Sequence, residues 1–128
     1  MQKYYKLNTE NIITLPNGAD KDLFSQTLVG YTFGTGNYIC QSSNAAFEIT
    51  AGNYECADLG DGDYVINITE NGFYIKGVDY SSAIRGFMAI LDKIEYYNAI
   101  FSLPCGITRE PPHLAMRSVH LCVFFQTP

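Results

Sequence analysis

Residues 63–79, DYVINITENGFYIKGVD, limit the possible folds of this chain more than any other stretch. Two runs of alternating apolar and polar residues flank Asn71-Gly72, the strongest short signal for a hairpin, because both positions of its turn need positive φ. A two-residue turn at Asn71-Gly72 would pair Glu70 with Phe73 across the hairpin. The alternation puts four side chains on an apolar face, Ile66, Ile68, Phe73 and Ile75. The wetter face carries Asn67, Thr69, Tyr74 and Lys76. We therefore predict an antiparallel hairpin with one face in the core.

Two segments have the periodicity of amphipathic helices. The first, NGADKDLFSQTLVGYTFG, has Asp20 as its predicted N-cap and ends at Gly34 and Gly36. Its predicted inner face consists of Leu23, Phe24, Thr27, Leu28 and Tyr31. The second helix begins with Asp79 or Ser81 as its cap. Its inner face consists of Tyr80, Ala83, Ile84, Phe87, Met88, Leu91 and Ile94, and we expect it to lie on the apolar face of the hairpin.

Further short strands are predicted in YYKLNTENIITLP, NYICQSS and AAFEITAG, which are residues 4–16, 37–43 and 45–52. The combination predicts an α+β fold, with a mostly antiparallel or mixed sheet and two helices packed on one face. We expect residues 1–103 to form this small domain. A chain of 128 residues is long enough to bury one such core.

The charge balance argues against a nucleic-acid-binding protein. The formal net charge is -5, and the eight Lys and Arg residues form no cluster that could neutralise phosphates. No run approaches the roughly 20 apolar residues of a membrane span. The first residues, MQKYYKLNTENIITL, lack the apolar stretch of a signal peptide. We expect a protein that binds neither nucleic acid nor membrane, either cytoplasmic or of a compartment that the sequence leaves open.

The four cysteines, Cys40, Cys56, Cys105 and Cys122, have no paired metal-binding spacing. Neither His113 nor His120 lies near a cysteine pair in the sequence. Free thiols packed in the core are therefore favoured over a zinc site, and we expect no metal and no other cofactor.

Two glycine-containing segments could suggest ligand loops. GTGN, at residues 34–37, lacks the third glycine of a dinucleotide-binding motif and is interpreted as the end of a helix. DLGDGD, at residues 58–63, resembles a calcium loop, but Thr69 occupies the twelfth position where that loop needs glutamate. Turn formation explains both segments better than phosphate or calcium binding.

Candidate catalytic groups do not form a recognisable set. Cys56 or Cys122 could act as a nucleophile with His120 as base, but nothing in the sequence places them together. The carboxylates Asp61, Asp63 and Glu70 border turns and suggest solvated positions rather than an acid–base pair. Residue chemistry alone therefore predicts a non-catalytic chain.

The segment 111–125, PPHLAMRSVHLCVFF, ends in a strongly apolar strand pattern. Such strands are buried on both faces inside parallel sheets and barrels. A linker at residues 104–116, which contains Pro104, Gly106, Pro111 and Pro112, is predicted to separate it from the second helix. Because an exposed apolar strand recruits other chains, we expect residues 117–125 either to pair with the same segment of a second molecule or to fold back on the domain's own sheet. Self-association is favoured at high concentration, because Pro111 and Pro112 stiffen the linker.

YVINITENGFYIKGVDYSSAIRGFMAILDKI and PHLAMRSVHLC together resemble the end of the small domain that precedes the barrel in β-N-acetylhexosaminidases of glycoside hydrolase family 20. In that family a hairpin and a helix run into a proline-containing linker and a P-x-F-x-x-R-G-x-x-L-D segment. The resemblance covers residues 64–125, roughly half the chain. Ser118 stands where the family has glycine, and Cys122 where it has aspartate. Similar domains precede barrels in α-glucuronidases and O-GlcNAc hydrolases, so a group of glycosidases is indicated rather than one substrate.

The resemblance implies that residues 117–128 begin a TIM barrel, a fold of about 250 residues. The chain would then be an N-terminal piece of a glycosidase, whose role is to buttress the barrel, with the catalytic Asp-Glu pair further downstream. The implied partners are that barrel and a glycan containing N-acetylhexosamine. Arg117 is the only site residue implied, as a donor to sugar hydroxyls, and the alternative is a structural arginine paired with Glu110.

A second hypothesis comes from the tyrosine content, ten residues in this chain. The chain could be a free-standing carbohydrate- or protein-binding module that uses exposed tyrosines. The candidates are Tyr4, Tyr5, Tyr96 and Tyr97.

Overall fold

A computed structural model describes residues 2–7, 10–34, 36–45, 47–54, 59–60 and 62–110. These residues form two helices, α1 (Lys21–Tyr31) and α2 (Tyr80–Asp92). They also form nine strands, β1 (Tyr4–Lys6), β2 (Glu10–Pro16), β3 (Asn37–Ser43), β4 (Glu48–Gly52), β5 (Tyr64–Thr69), β6 (Gly72–Gly77), β7 (Glu95–Tyr97), β8 (Ile100–Pro104) and β9 (Gly106–Glu110). Within these ranges the longer helix, α2, has 13 residues, and neither helix could cross a membrane by its length and apolar character.

The strands form a six-stranded sheet in the order β3-β2-β4-β6-β5-β9 and a three-stranded sheet in the order β1-β8-β7. β2 and β3 are parallel and are connected through α1, while the other described pairs are antiparallel. α1 packs on β3, and α2 packs on β5 and β6. The rings of Phe24 and Phe87 join the two helices at 4.7 Å, on one side of the sheet. The predicted α+β fold, with two helices on one face of a mixed sheet, is confirmed.

The core lies between the larger sheet and the helices. Alternate strand residues point into it and are fully buried, among them Ile13, Leu15, Ile49, Ile66, Phe73 and Ile75. The helices contribute Phe24, Leu28, Ala83, Phe87, Ile90 and Leu91. Each large apolar side chain buried there stabilises the fold by roughly 1.5–3 kcal/mol relative to exposure.

Both helix starts follow the sequence prediction. The Asp20 side chain accepts a hydrogen bond from the backbone N–H of Leu23 at 3.1 Å. The Asp79 side chain accepts one from the N–H of Ser82 at 2.7 Å. Each bond satisfies a donor that has no partner inside its helix, so these two aspartates decide where α1 and α2 begin.

The buried face of α2 is rotated from the predicted one. Tyr80 and Met88 are exposed, whereas Gly86 and Ile90 face the sheet. A Cβ on Gly86 would lie 2.6 Å from Cγ2 of Ile75, so the absent side chain lets α2 approach β6 closely. α1 differs in the same way, because Leu23 and Tyr31 are exposed rather than buried. Apolar spacing alone did not reveal which stripe of each helix would be nearest the sheet.

The β5–β6 hairpin forms where it was predicted, but the predicted register is wrong. Thr69 pairs with Gly72, so Glu70 and Asn71 are the turn residues, and Ile68 pairs with Phe73 rather than Ile75. The Thr69 hydroxyl accepts from the N–H of Asn71 at 3.2 Å and stabilises this turn. The register differs by two residues, so every side chain keeps its predicted face.

The other face of this hairpin is less wet than predicted. Tyr74 is buried because the ring of Tyr54 stacks on it, with centroids 5.2 Å apart and planes 7° from parallel. The Asn67 side chain also donates to the Tyr54 hydroxyl at 2.8 Å. Lys76 is exposed, as expected. Tyr54, two residues after β4, therefore covers part of the outer face of the sheet.

Residues 104–116 were predicted as a linker, and the structure describes the first seven of them. Pro104 is the last residue of β8, and Gly106–Glu110 form β9, which pairs with β5 at the edge of the larger sheet. Residues 106–110 thus add an edge strand to the larger sheet instead of leaving the domain as a linker. Residues 111–128 lie outside the described residues, so the barrel strand and self-association through 117–125 stay predictions.

The smaller sheet is joined to the core through β1 and β8. The N–H of Leu7 donates to the Phe101 carbonyl at 2.8 Å, and the edge of the Tyr5 ring meets Phe73 at 6.2 Å between centroids. The Tyr5 hydroxyl donates to Oδ1 of the buried Asn11. Tyr5 is therefore a core residue, and its proposed place among exposed tyrosines is wrong.

Candidate binding surface

The predicted site residue Arg117 lies outside the described residues. The same holds for Cys56, Asp61, His120 and Cys122. The roles assigned to these residues therefore stay predictions.

Two described carboxylates share one arginine, whereas the candidate Glu70 lies 3.6 Å from Nζ of Lys3 through its Oε1. Nη2 of Arg85 lies 3.6 Å from Oδ2 of Asp63, and its Nε lies 3.5 Å from Oε2 of Glu110. This partly buried group connects α2 to the start of β5 and the end of β9. The two carboxylates have similar electrostatic surroundings, because both lie beside the same guanidinium group. Nothing in this arrangement distinguishes one as a general acid and the other as a general base. Across residues 2–110, apart from the gaps, no group of three His, Cys, Asp or Glu side chains could hold a metal ion.

The two described cysteines are partly buried free thiols. Burial raises the pKa of the Cys40 thiol, and the nearby Asp22 adds to that effect. Burial also raises the pKa of the Cys105 thiol, with a further contribution from Glu70. A raised pKa disfavours the reactive thiolate form of both cysteines.

A cavity of about 520 Å³ lies on the outer side of the three-stranded sheet. We call this surface the tyrosine face, and it is lined by Tyr4, Lys6, Glu95, Tyr96, Tyr97, Asn98, Ile100 and Ser102. β1, β7 and β8 position most of these residues, because alternate side chains of each strand point outward. Tyr96 is the exception: it lies opposite Phe101 on the inner face, with ring centroids 4.7 Å apart, and borders the cavity from there. The intervening side chains Tyr5, Phe101 and Leu103 point inward and are buried. The pleat therefore separates core from cavity within three short strands.

The register of the small sheet fixes how the tyrosine face is laid out. Lys6 is opposite Ser102, and Ser102 is opposite Glu95, so these three form a polar row across the strands. Tyr4 lies on one side of this row and Tyr97 on the other, each two residues along its strand. Aromatic and hydrogen-bonding groups are the usual lining of ligand sites.

The turn between β7 and β8 carries one end of the tyrosine face. Its two residues, Asn98 and Ala99, have φ values of 52° and 64°, the left-handed conformation that a type I′ turn requires. This turn pairs Tyr97 with Ile100 and projects Tyr97 into solvent, with 76% of its surface exposed. Tyr96 lines a second cavity of about 380 Å³ beside Phe33, Ala99 and Phe101.

A different concave surface lies between the two helices. This helix groove, of about 300 Å³, is lined by Asp20, Leu23, Phe24, Thr27, Tyr80, Ile84, Phe87 and Met88. Seven of these residues present mainly carbon atoms, and Asp20 is already engaged as the N-cap of α1. The groove has little hydrogen-bonding capacity, so it suits a protein surface better than a polar small molecule.

Sequence reasoning identified part of the tyrosine face. Tyr4, Tyr96 and Tyr97 were named as exposed candidates, and the structure places all three on the cavity wall. It missed the polar row, because Lys6, Ser102 and Glu95 come together only through the pairing of β1, β8 and β7. The sequence YYNAI contains no glycine turn signal from which that hairpin could have been recognised.

Comparisons with protein-family models, with curated proteins and with solved structures found no significant match to this chain.

Proposed function

We propose that this chain is the non-catalytic N-terminal domain of a glycosidase resembling the β-N-acetylhexosaminidases of glycoside hydrolase family 20, acting on glycans that contain N-acetylhexosamine. Its role is to buttress a catalytic barrel in the same polypeptide. The observation that carries the proposal is the helix groove, an apolar surface on the layer that would meet the barrel.

The helix layer exposes more large apolar side chains than solvent contact favours. Leu23, Tyr80 and Met88 border the helix groove and are 59%, 42% and 48% exposed. Their apolar area would be removed from water if another layer packed on the helices, at about 25 cal/mol per Å². A domain that supports a barrel needs such a surface.

The path of the chain favours the same side. β9 ends at Glu110, whose carboxylate lies 3.5 Å from Nε of Arg85 on α2. Residues 111–128, which resemble the start of a barrel, follow Glu110 directly in the sequence. A barrel begun there would need no long connection to reach the helix groove.

The encoding gene gives the first test. An adjacent Asp-Glu codon pair downstream of Pro128 supports the proposal, and a stop codon directly after Pro128 contradicts it. The 128-residue chain alone should not hydrolyse a chromogenic N-acetyl-β-glucosaminide, and the longer protein should. Turnover by the purified short chain, above a mock preparation, would also contradict the proposal.

Docking through the helix groove has a matched control in the longer protein. Leu23→Glu is expected to lower the temperature of half-inactivation by several degrees, because it buries a charge in the interface. Ile107→Glu is the control. Ile107 on β9 is 61% exposed, a fraction similar to the 59% of Leu23, but it lies on the opposite face of the sheet. Equal effects of the two substitutions would contradict docking at the groove.

Arg117 is proposed as a donor to sugar hydroxyls in the longer protein. Arg117→Ala should then lower kcat/KM by an amount equivalent to about 2–4 kcal/mol of transition-state binding. Arg109→Ala, at an exposed arginine whose guanidinium donates to the Leu59 carbonyl, should leave kcat/KM unchanged. An unchanged kcat/KM in Arg117→Ala would assign Arg117 a structural role, such as pairing with Glu110.

The second candidate function is a free-standing carbohydrate- or protein-binding module. The tyrosine face favours it, because three tyrosines and a polar row line one cavity. The gene test separates the two functions, since a module needs no downstream barrel.

A further inference from the structure

The polar groups of the tyrosine face have no partners within the described part of the chain. Ser102 is only 8% exposed, and its hydroxyl makes no hydrogen bond to a described residue. Neither Lys6 nor Glu95 forms an ion pair with a described residue. A buried hydroxyl without a partner costs about 1–3 kcal/mol unless something else bonds it. The floor of the cavity is therefore suited to a polar ligand.

The charges of the tyrosine face select against an ionic ligand. Lys6 and Glu95 lie at opposite ends of the polar row, about 10 Å apart at Cα if neighbouring strands have their usual spacing. Their opposite charges cancel when viewed from a distance, so the tyrosine face as a whole attracts neither anions nor cations. The chain's net charge of -5 further disfavours polyanions such as nucleic acids. A neutral ligand with many hydroxyl groups can use both ends of the row.

The tyrosines add apolar area on both sides of that row. Tyr4 and Tyr97 lie at opposite corners, with Cα atoms about 16 Å apart for strands of ordinary rise and spacing. This span accommodates a chain of several linked sugar rings. A sugar ring has C–H groups that contact an aromatic side chain and hydroxyls that bond to charged and polar groups.

We infer that the tyrosine face binds a neutral oligosaccharide. Tyr4 and Tyr97 contact the C–H faces of two non-adjacent sugar rings. Lys6 donates to hydroxyl oxygens between them, Glu95 accepts from hydroxyls, and Ser102 bonds to the ring that lies over the middle of the sheet. The choice of glycan rests on the proposed glycosidase, whereas the binding site itself is separate from the helix groove.

The test is calorimetric titration of the 128-residue chain with the β-1,4-linked trimers of N-acetylglucosamine and of glucose. Saturable binding of at least one trimer is expected, and Tyr97→Ala should raise its Kd about tenfold. Tyr97 is highly exposed, so this substitution does not threaten the fold. Tyr97→Phe should keep most of the affinity. Tyr80→Ala is the matched control, because Tyr80 is also exposed, at 42%, but lies on the helix layer. The Kd of this variant for the trimer should be unchanged.

Three outcomes would overturn the inference. One is the absence of binding for both trimers at millimolar concentration. Another is affinity only for a sulfated oligosaccharide, lost in Lys6→Ala but not in Tyr97→Ala, which would mean anion binding. The third is concentration-dependent light scattering abolished by Tyr97→Ala, which would make the face a contact between copies. None of these outcomes bears on the glycosidase proposal, which is tested in the longer protein by its activity and by Leu23→Glu.

Discussion

The two described hairpins are opposites in sequence and conformation. β5–β6 has the Asn-Gly pair that favours left-handed turn residues, yet it turns at Glu70 and Asn71 without positive φ. β7–β8 has no glycine at its turn, yet Asn98 and Ala99 both adopt positive φ. Packing around each hairpin explains the difference.

In the β5–β6 hairpin the glycine is needed by a neighbouring strand. A Cβ on Gly72 would overlap the Ala51 carbonyl of β4, so only glycine allows these strands to pair here. The turn is held from outside as well, because the Asn71 carbonyl accepts from the N–H of Asn53 at 2.9 Å. The β7–β8 turn is exposed, and strand twist alone decides its conformation. Close packing therefore decides the turn conformation of the β5–β6 hairpin against its Asn-Gly preference. The exposed β7–β8 turn has no such packing and adopts the conformation that suits its strands.

The largest expected effect compares one aromatic truncation in each hairpin. Phe73→Ala should lower the free energy of unfolding by about 3–5 kcal/mol, because Phe73 is fully buried and contacts Tyr5. Tyr97→Ala should change it by less than about 0.5 kcal/mol, as at most surface positions. Urea unfolding of both variants measures this contrast. Similar losses would mean that the β7–β8 hairpin also belongs to the core.

The second effect tests the reason given for Gly72. Gly72→Ala should destabilise the protein by about 3 kcal/mol, because the added methyl group pushes β4 away from β6. Gly30→Ala is the control, since a Cβ there meets nothing within 4 Å. Gly30 lies in α1, so that substitution should stabilise by about 0.5–1 kcal/mol. If Gly72→Ala has near-normal stability in thermal unfolding, the close contact between β4 and β6 is not real.

The third effect concerns Tyr5, whose ring connects the two hairpins. Burial, and secondarily the neighbouring Tyr38, raise the pKa of Tyr5 from 10.0 to about 12. Above pH 10 the unfolded chain therefore loses this proton before the folded protein does. The free energy of unfolding should fall between pH 10 and 12, by about 2–3 kcal/mol in total.

Tyr5→Phe isolates this contribution, because the pKa of Tyr38 is also raised by burial and acts in the same direction. The decline in stability from pH 9 to 11, measured by urea unfolding, should be less steep in Tyr5→Phe than in the unchanged chain. Identical declines in Tyr5→Phe and the unchanged chain would rule out a buried Tyr5 hydroxyl.

The smallest effect reverses sign between the two turns. Ala99→Gly should stabilise by about 0.5–1 kcal/mol, because relief from left-handed strain exceeds the entropy that glycine adds to the unfolded chain. Asn71→Gly should destabilise by about 0.5 kcal/mol, since Asn71 has no positive φ to relieve. Thermal unfolding of the two variants measures the difference. A shift in the same direction would contradict the assigned turn conformations.

Local features were the most predictable from the sequence. Asp20 and Asp79 marked the helix starts, and NYICQSS coincides with β3. These features depend on residues that are neighbours in the chain. The faces of the β5–β6 hairpin were also predicted correctly, because alternation determines them in either register.

Features that depend on distant residues were not predictable. The β5–β6 register depends on Ala51, about twenty positions before Gly72, and the rotation of α2 depends on the contact between Gly86 and Ile75. The tyrosine face needs β1 and β8, whose partners Tyr4 and Pro104 are separated by nearly the whole described chain. No local pattern records such pairings, so the tyrosines could be named but not their polar neighbours.

The pairing of Tyr4 with Pro104 also has a consequence for synthesis on the ribosome. β1 is translated before β8, the strand with which it pairs in the described sheet. Contacts between residues so far apart in the chain form slowly, because the intervening segment must first be brought together. β1 is therefore expected to be incorporated late although it is translated before its partner, and the tyrosine face exists only on a domain that has finished folding.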